Sequence, residues 1–293
     1  MKIIINADDF ANSLYMSEII VRCFRDGILN STSIMVNSAD LDASLKLLDN
    51  LNIRTSLHFN IAEGTSVTPF EELHYLTENS IFCRSFEEIV VHYYFGSRDK
   101  KELIKNDIKR ELKNQILLYA KKLHIQDVNI DSHQHYHTIP FIVDILLELR
   151  EELHLNISYV RVPKEPFFID VSALQNIKNY LGLNIIKHIL LNFFSKSMMQ
   201  KLKRDNIECN DAFIGVLFTG NVTLNSIKKA MQKIKDAKII EILLHPGYLS
   251  PQENRVRKDD KFKRFYTDKG RLNEMQVLLL PEFRDYMNRV NKI

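Results

Sequence analysis

The stretch IINADDF, residues 4–10, decides how the rest of the chain is read. A β-branched apolar run ends in two adjacent carboxylates, Asp8 and Asp9, where a fold would ordinarily bury neutral side chains. Such a run reads as a strand, and the carboxyl ends of parallel strands are where active sites of α/β folds assemble. Working outward, short runs of the same type recur at 33–37, 53–59, 127–131, 157–162, 213–217 and 239–244, after a first strand at 2–6. Helical patterns fill the gaps at 13–25, 40–50, 101–123, 139–153 and 223–236, the last with Thr223 as its N-cap. The alternation predicts an α/β fold of about seven strands in a mostly parallel sheet or barrel. Two segments, 62–98 and 163–210, interrupt the repeat and read as insertions into a single domain covering 1–293.

Composition narrows the partners. Of 293 residues, 45% are hydrophobic, 40 are basic and 37 acidic, a net charge of +3. That balance argues against nucleic acid or a membrane surface as the main partner and points to a small substrate. Cys23, Cys83 and Cys209 are widely spaced, odd in number and form no CxxC pair, which fits a reducing cytoplasm. The N-terminal apolar run is broken by Asp8 and Asp9 well short of a secretory core. No run reaches the ~18 to 20 apolar residues of a membrane span. The apolar-rich NIIKHILLNFF, 184–194, contains Lys187 and His188 and reads as an amphipathic helix or a partner-facing surface.

The strand ends carry the chemistry. Asp8 and Asp9 follow the first strand, His58 lies in the third, DSHQHYH (131–137) follows the fourth, Arg161 lies in the fifth and His245 follows the last. In an extended chain Asp131, His133, His135 and His137 would share one face at spacings of roughly 6.5 to 7 Å, so two could reach one metal and four could not. Three histidines with an aspartate at that spacing point to a metal or catalytic site rather than a capped loop. A carboxylate from the first strand and two imidazoles from later ones make an Asp-His-His set that leaves positions open for water and substrate. A cation would relieve the repulsion between Asp8 and Asp9, one ligating and the other free to act as a base. In LLHPGY (243–248), Pro246 and Gly247 turn the chain and hold His245 at the rim, as a third ligand or as a general acid. Glu241, about 13 Å back along the strand, is too far to tune His245, so another carboxylate must do so.

NADDF with Ser13, LHFN (57–60), DSHQHYH (131–137) and LLHPGY (243–248) resemble, in order, the signature blocks of the YdjC-like carbohydrate deacetylases, which include the chitooligosaccharide deacetylases. The resemblance implies a distorted (β/α) barrel, a homodimer, one divalent metal, and hydrolysis of N-acetyl groups on a small sugar or oligosaccharide. It assigns Asp9, His58 and His133 to the metal, Asp8 as base and His245 as acid. It leaves His135 and His137 to shape the pocket or orient a ligand, and Arg161 to hold a catalytic carboxylate or a substrate oxygen through its planar fork. The resemblance gives magnesium, whereas two imidazoles and a carboxylate suit zinc or manganese by ligand type. With no tryptophan in the chain, sugar rings would stack on Phe10, Phe59, Tyr136 or Tyr248. Ala11 and Ser56 stand where the family commonly has glycine, which puts pocket width in question. Two other readings compete: an amidase or phosphoesterase on a different substrate, and a silent sugar-binding protein. An intact Asp8 and His245 argue against the second.

Overall fold

The computed structural model describes residues 1–167, 180, 182–256 and 263–290. Strand β1 (Lys2–Phe10) is buried at every position after Lys2, as its Ile3–Ile5 run requires. Each of those isoleucines contributes about 1.5–3 kcal/mol by burial. Beside β1 lie β2 (Ser31–Ile34), β3 (Arg54–Phe59), β6 (Asp127–Ser132), β7 (Asn156–Val160), β8 (Ala212–Ile214) and β9 (Ile239–Leu244). All pair in parallel, in the order β7-β6-β3-β2-β1-β9-β8. Between β3 and β6, β4 (Thr77–Glu78) and β5 (Ile81–Phe82) form a small antiparallel hairpin within the segment 62–98.

The seven-stranded sheet curls into a half-barrel. Its two edge strands are tied through the segments beside them. Tyr159 bridges Glu208, Phe213 N donates to Lys164 O, and the Asn210 amide donates to Val162 O and Ala212 O. The seven strands expected from the sequence are all present, β2 beginning two residues earlier than expected.

Helices cover the sheet. Among the described residues they are, in chain order, α1 (Leu14–Arg25), α2 (Leu41–Leu45), α3 (Phe86–Phe95), α4 (Arg98–Leu123), α5 (Pro140–Leu153), α6 (Leu183–Arg204), α7 (Leu224–Lys233), α8 (Pro251–Val256), α9 (Lys263–Tyr266), α10 (Lys269–Leu279) and α11 (Pro281–Val290). Ser13 caps α1 by accepting from Met16 N, and Thr223 caps α7 in a reciprocal box with Ser226. The buried face of α4 carries three polar residues because it anchors the segment 62–98. Glu111 accepts from Val67 N and Thr68 N, Asp107 from Tyr75 N, and Gln115 pairs with the Asn60 backbone.

Helix α6 follows β7 and precedes β8 in the chain. It buries His188, Leu191, Ser195, Met198 and Leu202 and exposes Ile186, Ile189, Leu190 and Phe193. No helix among the described residues is long and apolar enough to cross a membrane.

Candidate active site

A cavity of about 260 Å³ opens at the carboxyl ends of β1, β3, β6 and β9. Its lining includes Asp8, His58, His133, His135 and His245, joined by Lys187 of α6 and Phe265 of α9.

Neighbours on a regular strand point to opposite faces, yet both aspartates of β1 reach this end. Asp9 adopts φ +68°, and the pairing of β1 with β2 shifts register between Ala7 and Phe10. The left-handed residue, which costs roughly 1–2 kcal/mol, breaks the alternation. As a result Asp8 Oδ2 lies 3.9 Å and Asp9 Oδ1 3.6 Å from His58 Nε2. Backbone strain of this kind concentrates at functional sites.

His58 is held from behind. Its Nδ1 stands 2.5 Å from Asp131 Oδ1, while Ser33 Oγ donates to Asp131 Oδ2 at 2.6 Å. Its Nε2 is buried and has no hydrogen-bond partner. His133 mirrors the arrangement, with Nδ1 3.1 Å from Asp9 Oδ1 and Nε2 3.4 Å from Glu63 Oε1. Ligand atoms of Asp9, His58 and His133 all lie within 4.8 Å of one another. Burial alone would lower the His58 pKa, but Asp8, Asp131 and Asp9 outweigh it and push it up to about 10. The pocket therefore calls for positive charge at Nε2. A divalent cation fits that demand and the donor set, and each imidazole is backed by a carboxylate as metal-bound histidines usually are.

Asp8 is clamped. Arg161 Nη1 and Nη2 donate to its two oxygens at 2.9 and 2.8 Å, and Asn6 Nδ2 adds a third bond at 2.7 Å. Burial would raise the Asp8 pKa, but Arg161 and then His58 bring it down to about 2. Arg161 is completely buried and also donates through Nε to Glu241, whose second oxygen accepts from Tyr159 Oη. It therefore holds the carboxylate from a position outside the cavity lining. Glu241 is committed to Arg161 and plays no part at His245.

The DSHQHYH segment departs from the extended geometry expected of it. β6 ends at Ser132, and residues 133–138 form a 3-10 turn with Gln134 and His135 left-handed at φ 52° and 63°. The turn brings His133 and His135 to the cavity and swings His137 away. His137 Nδ1 lies 2.6 Å from Ser132 Oγ and Nε2 2.9 Å from Arg161 O, so it braces the arginine's backbone. Burial holds the His137 pKa down at about 4 and keeps His135 well below the usual imidazole range. His135 Nδ1 is buried without a hydrogen-bond partner.

Two clusters of potential metal ligands occur among the described residues, Asp9-His58-His133 and Asp8-His58-Asp131, and His245 belongs to neither. The expected stacking aromatics need correction. Phe10, Phe59 and Tyr136 are core residues at 1% exposure or less, and Tyr248 packs edge-on against Tyr15 outside the cavity lining. The ring on the cavity is Phe265, edge-on to His245 at 5.5 Å between centroids. Ala11 and Ser56 are buried and outside the lining, so neither narrows it.

Four contributors escaped the sequence reading: Glu63, Phe265, Arg271 and Glu274. Arg271 Nη2 donates to Asp9 Oδ2 at 2.6 Å and Nη1 to Gly247 O at 2.6 Å, with the guanidinium against Phe265 and Tyr266. Arg271, together with the two histidines, outweighs burial and keeps Asp9 well below the ordinary carboxylate range. The available signal was two charged residues, Arg271 and Glu274, on the same face of α10 as Val277 and Leu278.

Known proteins resemble this chain along most of its length. The family model described as YdjC-like protein matches residues 2–289. A carbohydrate deacetylase of Xenopus laevis is 25% identical over 98% of this chain and 94% of its own length. A chitooligosaccharide deacetylase of Proteus mirabilis (strain HI4320) is 27% identical over 55% of this chain and 59% of its own. A crystal structure of an Enterococcus faecalis V583 protein superposes with TM-score 0.70 at 15% identity, covering 99% of this chain and 94% of that one.

Proposed function

The chain belongs to the YdjC-like family, and from that premise we propose that it is a metal-dependent hydrolase removing N-acetyl groups from amino sugars or short chitooligosaccharides. The observation that carries the reading is the convergence of Asp9, His58 and His133 at one end of a cavity that also presents Asp8 and His245. Relatives named carbohydrate deacetylase along nearly the whole chain support the substrate class.

Asp9, His58 and His133 would hold the cation, which when bound polarises the acetyl carbonyl and acidifies water. Two arguments bear on the ion and favour different metals: the family resemblance favours magnesium, the nitrogen-rich donor set zinc or manganese. The chain's own residues handle the protons. Asp8, kept ionised by Arg161, accepts a proton from the attacking water. As the new C–O bond forms and the C–N bond breaks, His245 gives its proton to the departing sugar amine. The products are acetate and the free amine. Phe265 offers an apolar face for the sugar ring.

The test is acetate release from N-acetylglucosamine, N,N′-diacetylchitobiose and longer oligomers, with chelator-stripped protein resupplied with magnesium, zinc or manganese. Metal-restored release is expected, and Asp8→Asn should abolish turnover while retaining stoichiometric metal. No release on any sugar with metal bound would overturn the reading in favour of another acyl substrate.

A further inference from the structure

His245 needs a partner that its own strand does not provide, and α10 supplies one. The start of α10 packs against the Gly220 loop so closely that a Cβ on Gly270 would stand 2.2 Å from Gly220 O. This contact brings Glu274, one turn further on, beneath β9. Glu274 is 1% exposed. Its Oε1 accepts from Gly220 N at 2.7 Å and its Oε2 from His245 N at 2.5 Å. The same Oε2 lies 3.5 Å from His245 Nδ1, an atom that is buried and has no hydrogen-bond partner. No other carboxylate among the described residues comes within ion-pair distance of His245. One buried carboxylate thus fixes the backbone of His245, faces the inner nitrogen of its ring, and tethers the loop that carries Thr219 into the cavity lining.

Resting on the deacetylase reading, we propose that Glu274 is the positioning residue for His245, holding the imidazole with a proton on Nδ1 so that Nε2 serves the cavity. In the reaction the imidazolium passes its Nε2 proton to the leaving nitrogen as the C–N bond breaks, and the neutral ring keeps its Nδ1 proton on Glu274. The proton taken from water by Asp8 then restores the imidazolium through solvent, so each turnover closes without another reactant. A carboxylate behind a catalytic histidine sets tautomer and orientation in this manner.

The test reads the tautomer directly. In metal-loaded protein carrying ¹⁵N-histidine, with the His245 signal assigned by its loss in His245→Asn, the neutral ring should show the Nδ1–H pattern well above neutral pH. Glu274→Gln should shift that pattern and lower kcat about tenfold or more, with KM within about a factor of two. A purely structural role would leave the tautomer unmoved. An Nε2–H pattern in the unmodified protein overturns the proposal and needs no variant, so a Glu274→Gln protein that fails to fold does not rescue it. An unchanged kcat in a folded Glu274→Gln protein also overturns it. The tautomer is read whether or not acetate is released, so loss of the deacetylase reading would show separately.

Discussion

His58 and Asp131 are register partners on adjacent parallel strands, and their side chains meet with Nδ1 and Oδ1 2.5 Å apart. The contact leaves only Nε2 of His58 for the cavity and fixes the ring's orientation. Asp131→Asn should weaken divalent-metal binding about 10- to 100-fold, read by competition with a fluorescent chelator, with the fold retained. Unchanged affinity would mean that Asp131 serves Arg161 alone.

Arg161 is an arginine without solvent, joined to Asp8 and Glu241 and 3.2 Å from Asp131. Removing it strands at least one buried carboxylate, so Arg161→Met should destabilise the protein by about 3–5 kcal/mol. Combining it with Asp8→Asn should recover part of that loss. Urea unfolding of the two single variants and the double closes the cycle, and strict additivity would contradict the coupling.

Ala11 holds a left-handed backbone, φ +69°, fully buried beside the site. Glycine adopts that conformation without a Cβ clash but gives up more chain entropy on folding. The relief of about 1–2 kcal/mol is offset by that entropy and by about 0.8 kcal/mol for the lost buried methyl, so Ala11→Gly should leave Tm within a few degrees, with KM for the acetylated sugar unchanged because the residue does not line the cavity. A drop in Tm beyond that range would show that the strain is relieved elsewhere.

The pH dependence of stability follows from His137, whose pKa falls from 6.5 to about 4 on burial. Between those values the unfolded chain binds the extra proton and the native one does not. This contribution is therefore whole above about pH 6.5 and is lost as pH falls toward 4, to a total of about 3 kcal/mol. His137→Gln should flatten the dependence of urea stability across that window while leaving a residual slope from His135, which burial depresses in the same direction. An identical slope in the variant would refute the assignment.

The strands were legible because runs such as KIIIN and IIEILL have one stable fate, burial on both faces of a parallel sheet. The residues at their carboxyl ends were legible for the same reason, since strand ends converge whatever the helices do. Alternation misled at 131–137, where two left-handed residues turn His137 away from the cavity to the Arg161 backbone. It could not have revealed Glu274 or Arg271, which reach the site through helix packing from the far end of the chain. The aromatic assignment failed because neighbours in sequence were taken for neighbours of the substrate. Phe59 follows His58 and so faces the opposite side of β3, into the core.

The register slip in β1 bears on how this motif could be transplanted. Copied letter for letter onto a regular strand, NADDF would show one carboxylate to the cavity and the other to the opposite face of the sheet, and the two would no longer converge on His58. What has to be grafted is a kink of one residue. Deleting that one extra peptide unit would restore the alternation and part the two carboxylates without changing either of them.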